Sequence, residues 1–284
     1  MTLTVEGMWG LGDNIYQLPI IKELARREKD PVYLRTPWPD LYVGIENLHF
    51  IRAYTRLRTQ SKNADRFVGW DTPPVGKALK LTYVRDQNRG IPLWRGLVNS
   101  SGLRDDFKYH LSFNLMPIPR ANYAVIRPVT IRKEWAARSR NPDPMYIQAT
   151  IDHLNLRGVR SIVVADVDPP AEEFDGPIPN GAERYFIHGE KKPQDLVDMF
   201  RTAKLVVGPV GWLAPMAMAT GTPSVVIHGG AGGWNAPQIL DAPCERKPIH
   251  VLPENYCRCR SHTHACDKRI DLCKLKQAID QALA

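Results

Sequence analysis

Residues 194–233 read QDLVDMFRTAKLVVGPVGWLAPMAMATGTPSVVIHGGAGG. Leu196, Val197, Met199 and Phe200 form an amphipathic segment, and residues 204–208 a short apolar run. Residues 211–220 are mostly small and suit a helix. Gly221, Thr222 and Pro223 then turn the chain into a second apolar run, 224–228, which ends in a glycine-rich segment, 229–233. Helix, strand, helix, strand and glycine-rich loop in succession predict a parallel α/β unit. Ligands bind such sheets at the carboxyl ends of the strands. Glycine admits a close backbone approach there, and a helix N-terminus offers N–H groups and the positive end of its dipole. Gly208, Gly211, Trp212, His228, Gly229 and Gly230 are therefore candidates for holding a phosphorylated ligand.

Working outward, residues 3–5 suit a strand, 7–12 a loop, and 13–27 a helix with Ile15, Leu18, Ile21, Leu24 and Ala25 on the helical period. Residues 31–34 and 48–51 suit further strands. Residues 53–76 are polar and basic and read as a long surface loop, the kind that often carries function. A strand over 78–84, a helix over 91–103 and a proline-bearing linker near 116–119 follow. The second half repeats the grammar. A strand at 123–126, a loop at 127–135 and a helix at 144–156 lead to a strand at 161–165. An irregular stretch at 168–182, a strand at 184–187 and a closing helix at 268–283 complete it. The pattern predicts an α/β protein of two domains, 1–118 and 119–284, each with an open nucleotide-binding type of sheet.

The chain is 43% hydrophobic and 24% charged, the balance of an ordinary globular protein. It lacks an apolar run near the ~18 residues of a membrane span. No basic start with an apolar core marks a signal peptide, so a cytoplasmic location is the expectation. The net charge is +8, and most of it lies early: residues 1–120 hold 18 Lys+Arg against 12 Asp+Glu, the remainder 20 against 18. Arg52, Arg56, Arg58, Lys62 and Arg66 concentrate the excess. Such a segment either meets an anionic partner (nucleic acid, anionic lipid or phosphorylated sugar) or is a solvated basic surface. Of the five cysteines, four crowd the carboxyl end. Cys257, Cys259, Cys266 and Cys273 could hold a structural zinc ion, although their spacing is not that of a regular zinc finger.

Gly7, Gly10 and Gly12 do not make the dinucleotide fingerprint, which disfavours a nicotinamide enzyme. Asp13 after this loop is either a helix N-cap or a carboxylate placed for chemistry.

The run 203–208, AKLVVG, followed by Ala217, Ala219 and Gly221–Thr222–Pro223, resembles the carboxyl-terminal half of bacterial heptosyltransferases, glycosyltransferase family 9. Gly12 and Asp13 followed by Pro19 resemble the family's amino-terminal loop and helix. The resemblance implies the GT-B fold, two Rossmann-like domains facing a cleft, and an inverting, metal-independent transfer from a nucleotide-sugar donor. Asp13 would be the general base on the acceptor hydroxyl. Trp9, Gly10, Gly12, Arg52, Arg56 and Arg58 would face an anionic acceptor. That acceptor is either a lipopolysaccharide-type sugar or a hydroxylated DNA base, as modified by some phage glycosyltransferases. Thr130, Arg132 and Lys133, with Trp135 beyond, match the family's hydroxyl, Lys and Trp loop and would neutralise the leaving diphosphate. His188 and Glu190 would reach the donor's ribose. The family's tails also carry cysteines, a second account of that cluster. Val210 and Pro215 stand where the family has Asp and His. The alternative is therefore a catalytically inactive nucleotide- or nucleic-acid-binding relative.

Overall fold

A computed structural model describes residues 2–55, 57–103, 106–134 and 137–284. The chain divides into two compact units, 1–111 and 112–284.

In the first unit, β1 (Leu3–Glu6), α1 (Leu11–Arg27), β2 (Val32–Thr36), β3 (Leu48–Arg52), α2 (Arg58–Arg66), β4 (Lys77–Lys80), the short α3 (Val84–Gln87) and α4 (Leu93–Ser101) follow in order. The strands form one parallel sheet in the order β3-β2-β1-β4. Ile15, Leu18, Ile20 and Ile21 of α1 are buried, as are Val5, Val32, Leu34 and Leu97. That apolar face keeps α1 helical through Pro19, which lies inside it. Part of 53–76, expected to be loop, is the helix α2. Its inward residues are Gln60, Asn63 and Ala64, and Asn63 Nδ2 donates to Pro37 O. A helix anchored by polar residues leaves no apolar period to read. The strand expected over 78–84 stops at Lys80, and a helical turn begins at Val84.

The second unit contains β5 (Ala121–Ile126), β6 (Thr130–Arg132), α5 (Met145–Leu156), β7 (Arg160–Val164), β8 (Glu172–Phe174), β9 (Arg184–Phe186) and α6 (Pro193–Thr202). It continues with β10 (Ala203–Pro209), α7 (Leu213–Thr220), β11 (Ser224–Ile227), the short α8 (Gly232–Asn235) and α9 (Pro237–Leu240), β12 (Ile249–Val251) and α10 (Leu272–Leu283). Six parallel strands lie in the order β12-β11-β10-β5-β7-β9, and β6 pairs antiparallel with β8. β11 is buried throughout, as is nearly all of β10, which explains their unbroken apolar runs. Ile126, Ile151, Leu205, Val207, Ile227 and Ile279 share the core. Gly221 ends α7 at φ +65°, a left-handed cap that glycine adopts without strain.

Both sheets reverse direction once. In the first unit the chain steps outward from β1 to β2 and β3, then crosses to β4 on the other side of β1. In the second it steps from β5 to β7 and β9, then crosses to β10, β11 and β12. The loops leaving β1 and β4, and those leaving β5 and β10, therefore diverge from a switch point, where such sheets open a crevice for ligands.

Candidate functional site

At the first switch point stands Asp13, in the first turn of α1. Gly10, not Asp13, is the N-cap residue, and the carboxylate folds back so closely that a Cβ on Gly10 would fall 2.5 Å from Asp13 Oδ2. From the other side of the switch point, Tyr83 donates its hydroxyl hydrogen to Asp13 Oδ1 at 2.8 Å. The loop between β1 and α1 rests on polar side chains with no solvent exposure. Asn14 Nδ2 donates to Met8 O and Gly10 O, each at 2.8 Å, and Gln17 Oε1 accepts the Met8 N–H at 3.0 Å. Asn14 Oδ1 accepts in turn from Thr36 Oγ1 at 2.7 Å, and Tyr42 closes the network. Trp38 Nε1 donates to Trp9 O at 2.8 Å. Buried and fully bonded, this network fixes the loop that presents Asp13. Sequence reasoning missed Tyr83, Asn14 and Gln17; the available signal was two amides in the first turns of a helix otherwise apolar on that side.

Of the basic residues proposed to face an acceptor, Arg52 is paired with Asp65. Arg58 begins α2, and Lys62 and Arg66 follow it at four-residue spacing, a stripe on the helix face. Arg56 lies outside the described residues.

The second switch point is cationic. Arg127 directly follows β5, and its N–H donates to Val207 O of β10 at 2.9 Å. Its guanidinium lies over the Trp212 ring, 5.8 Å from the centroid, beside Gly208 and Gly211. A Cβ on Gly208 would fall 2.8 Å from Arg127 Cβ, so glycine there makes room for the arginine. Burial pushes the Arg127 pKa down to about 9, repulsion from Arg140 and Arg132 adds to this, and Glu172 opposes it. Glu172, itself buried, accepts from Thr130 Oγ1 at 2.8 Å and pairs with Arg132 Nε at 2.8 Å. Arg127 and Arg132 thus share Glu172, with Arg140 beside Arg127, an arrangement that a bound anion would relieve. Thr130 and Arg132 are among the residues named from the sequence; Lys133 is exposed on the same turn, and Trp135 lies outside the described residues. Arg127 and Arg140 were not foreseen, although an arginine immediately after the first strand of a doubly wound sheet is a readable sign.

The remaining donor candidates are placed differently. His188 N–H donates to Glu190 Oε2 at 2.9 Å, so this carboxylate ties its own turn. His228 is fully buried, and its ring is used within the fold. Nε2 shares a hydrogen bond with His250 Nδ1 at 2.8 Å, and Nδ1 lies 3.2 Å from the Tyr256 hydroxyl. His250 Nε2 donates to Asp241 at 2.9 Å. Burial, with His250 beside it, holds the His228 pKa well below the ordinary histidine value. Gly229 N–H is taken by Arg140 O at 3.1 Å. A Cβ on Gly230 would fall 2.4 Å from Cys266 Sγ. These two glycines make room for the protein's own chain. Val210 and Pro215 are buried and apolar.

Cys257, Cys259, His264 and Cys266 place one ligand atom each within 4.8 Å of one another. Cys273 is not among them: it lies in the first turn of α10, exposed, with its N–H bonded to Asp271 Oδ1 at 2.8 Å, and His264 takes the place expected for it. A Cys₃His set suits a tetrahedral ion. The separations also fit. Cys257 Sγ to His264 Nδ1 is 3.5 Å, His264 Nδ1 to Cys266 Sγ 3.4 Å, and Cys259 Sγ to Cys266 Sγ 3.6 Å. Metal–sulfur and metal–nitrogen bonds of about 2.3 and 2.0 Å give tetrahedral edges of about 3.8 and 3.5 Å.

No helix among the described residues is long and apolar enough to cross a membrane. A scan of protein-family models gives no match to the sequence, and neither does a search of curated proteins. Solved structures do share the fold. The iron-containing dodecameric glycosyltransferase TibC from enterotoxigenic E. coli H10407 matches with a TM-score of 0.67 and 17% identity, over 99% of this chain and 75% of TibC. The glycosyl transferase family 9 protein from Veillonella parvula DSM 2008 matches with a TM-score of 0.62 and 11% identity, over 99% and 97%. E. coli ADP-heptose lipopolysaccharide heptosyltransferase II matches with a TM-score of 0.59 and 13% identity, over 100% and 98%.

Proposed function

From the fold of the family 9 heptosyltransferases as premise, we propose that this protein is an inverting glycosyltransferase that draws its sugar from a nucleoside diphosphate donor. One observation carries the reading: the first switch point presents a carboxylate and the second a cluster of arginines. Those are the two groups that the transfer needs.

In the proposed reaction an acceptor hydroxyl attacks the anomeric carbon of the donor sugar, and Asp13 takes the hydroxyl proton. The bond from that carbon to the diphosphate oxygen breaks, and the oxygen leaves with the electron pair. A single displacement inverts the anomeric centre. The leaving charge develops against Arg127, Arg132, Arg140 and the N-terminus of α7, which supply preorganised positive charge, so no step runs through a metal ion. The Cys/His cluster would hold a structural ion, zinc or iron. ADP is the first ligand to try, because solved heptosyltransferases with this fold hold ADP or ADP-heptose.

A second reading has one observation in its favour. Val210, before α7, and Pro215, within it, offer a donor no polar side chain, as in a protein that binds a nucleotide without turnover. Calorimetry with ADP and AMP, beside an assay for nucleoside diphosphate released from a panel of nucleotide sugars, separates the two. Tighter binding of ADP than AMP together with release supports the transferase. Binding without release supports the second reading, and no binding by any nucleoside diphosphate overturns both.

A further inference from the structure

The glycine-rich segment 229–233 is moulded by other parts of its own chain. A Cβ on Gly232 would fall 2.8 Å from the Tyr256 ring, and one on Gly233 2.4 Å from Arg260 Cγ. The Gly232 N–H donates to Cys257 O at 2.8 Å and the Gly233 N–H to Cys259 O at 3.1 Å. With Cys266 against Gly230, three of the four residues of the Cys/His cluster are also the residues that shape this segment.

The mould has no core of its own. Residues 257–266 contain no helix or strand, and none of them is buried. A segment without buried apolar contacts opens at low free energy. Ser139 donates through its N–H to His262 O at 3.2 Å and through its hydroxyl to Ser261 O, Arg260 Nε donates to Gly233 O at 3.3 Å, and the His262 ring packs on Trp234, but none of these puts an apolar side chain of the segment into a core. A bound ion supplies what burial does not, because its binding free energy becomes folding free energy of the loop that ligates it.

We propose that one tetrahedral transition-metal ion, zinc or iron, held by Cys257, Cys259, His264 and Cys266, fixes residues 257–266 and through them the 229–233 segment. The ion acts as a remote clip: its ligands' backbone carbonyls hold the Gly232 and Gly233 amides. The segment follows β11 and lies against Arg140 through the Gly229 amide, so occupancy of the metal site sets the shape of one wall beside the arginine cluster. The inference rests on packing and ligand geometry and stands whether or not the protein transfers a sugar.

The test uses the full chain purified without chelator. Elemental analysis should find about one zinc or iron ion per chain and tell which it is. Hydrogen exchange is then followed at the Gly232 and Gly233 amides before chelator, after it, and after zinc or ferrous iron is restored, with far-UV circular dichroism as a check on the fold. Stripping should speed exchange of both amides at least tenfold while α10 amides stay protected, and restoring the ion should reverse this. His264→Ala should lose the ion and Cys273→Ser should keep it. Unchanged exchange on stripping overturns the clip. An ion lost with Cys273→Ser and kept with His264→Ala overturns the ligand set, and a chain that neither carries nor takes up an ion overturns the whole proposal.

Discussion

Replacing Arg127 with Met separates an arginine kept for a ligand from one kept for the fold. The methionine stem retains the packing against Gly208, so the change removes mainly the charge. Holding a guanidinium charged with its pKa pushed down to about 9 would cost about 5 kcal/mol at most, at about 1.4 kcal/mol per pH unit. Part of the residue meets solvent, and an effective interior dielectric near 20 brings the cost to about 2 kcal/mol. The lost contact with Trp212 offsets about 0.5–1 kcal/mol of that. Relief of strain wins by about 1 kcal/mol, so Arg127→Met should raise the Tm of the ligand-free protein by about 2–4 °C. A charge-assisted hydrogen bond to a diphosphate contributes about 1.5–3 kcal/mol, so ADP affinity should fall by about ten- to a hundredfold. Thermal unfolding with and without ADP, paired with calorimetry, reads both effects. A variant with a lower Tm and wild-type ADP affinity would refute the reasoning, since Arg127 would then be an ordinary structural residue.

Three further outcomes are expected. Asp13→Asn should slow turnover by about a hundredfold or more while ADP affinity stays within about twofold, measured by nucleoside diphosphate release and calorimetry; near wild-type turnover removes Asp13 from the mechanism. Because the folded-state pKa of His228 is depressed, the unfolded chain takes up the proton first as pH falls. Stability should therefore be lost below about pH 6.5 with an extra slope of about 1.4 kcal/mol per pH unit, absent in His228→Gln when both are unfolded in urea across pH 5–7.5. We propose an anionic acceptor along the α2 stripe. If it is DNA, binding to a hydroxymethylated duplex should weaken steeply with salt, and Arg58→Ala with Arg66→Ala should make that slope shallower; a salt-insensitive interaction leaves the stripe a solvated surface.

The fold was legible because parallel strands buried on both faces leave unbroken apolar runs, as at β10 and β11, and because Gly221 punctuates the turn between α7 and β11. The helix α2 was not, since it is anchored by Gln60 and Asn63 and shows no apolar period. Within the candidate site, residues beside glycines in the strand-to-helix loops could be named from order alone. Tyr83 could not, because it lies 70 positions from Asp13 and only the crossover from β3 to β4 brings them together. Arg140 joins Arg127 through the third dimension in the same way. The glycines at 229–233 are ambiguous for a physical reason. Close approach is what glycine permits, and the sequence does not say whether a phosphate or the chain's own Cys257–Cys266 segment makes it. His264 was missed for want of a thiol.

The most direct test of the central claim is a crystal structure of the protein with ADP. The account predicts the two phosphates at the carboxyl ends of β5 and β10, within hydrogen-bond distance of Arg127 and of at least one of Arg132 and Arg140. ADP bound elsewhere, with the arginine cluster and Glu172 unchanged, would contradict it.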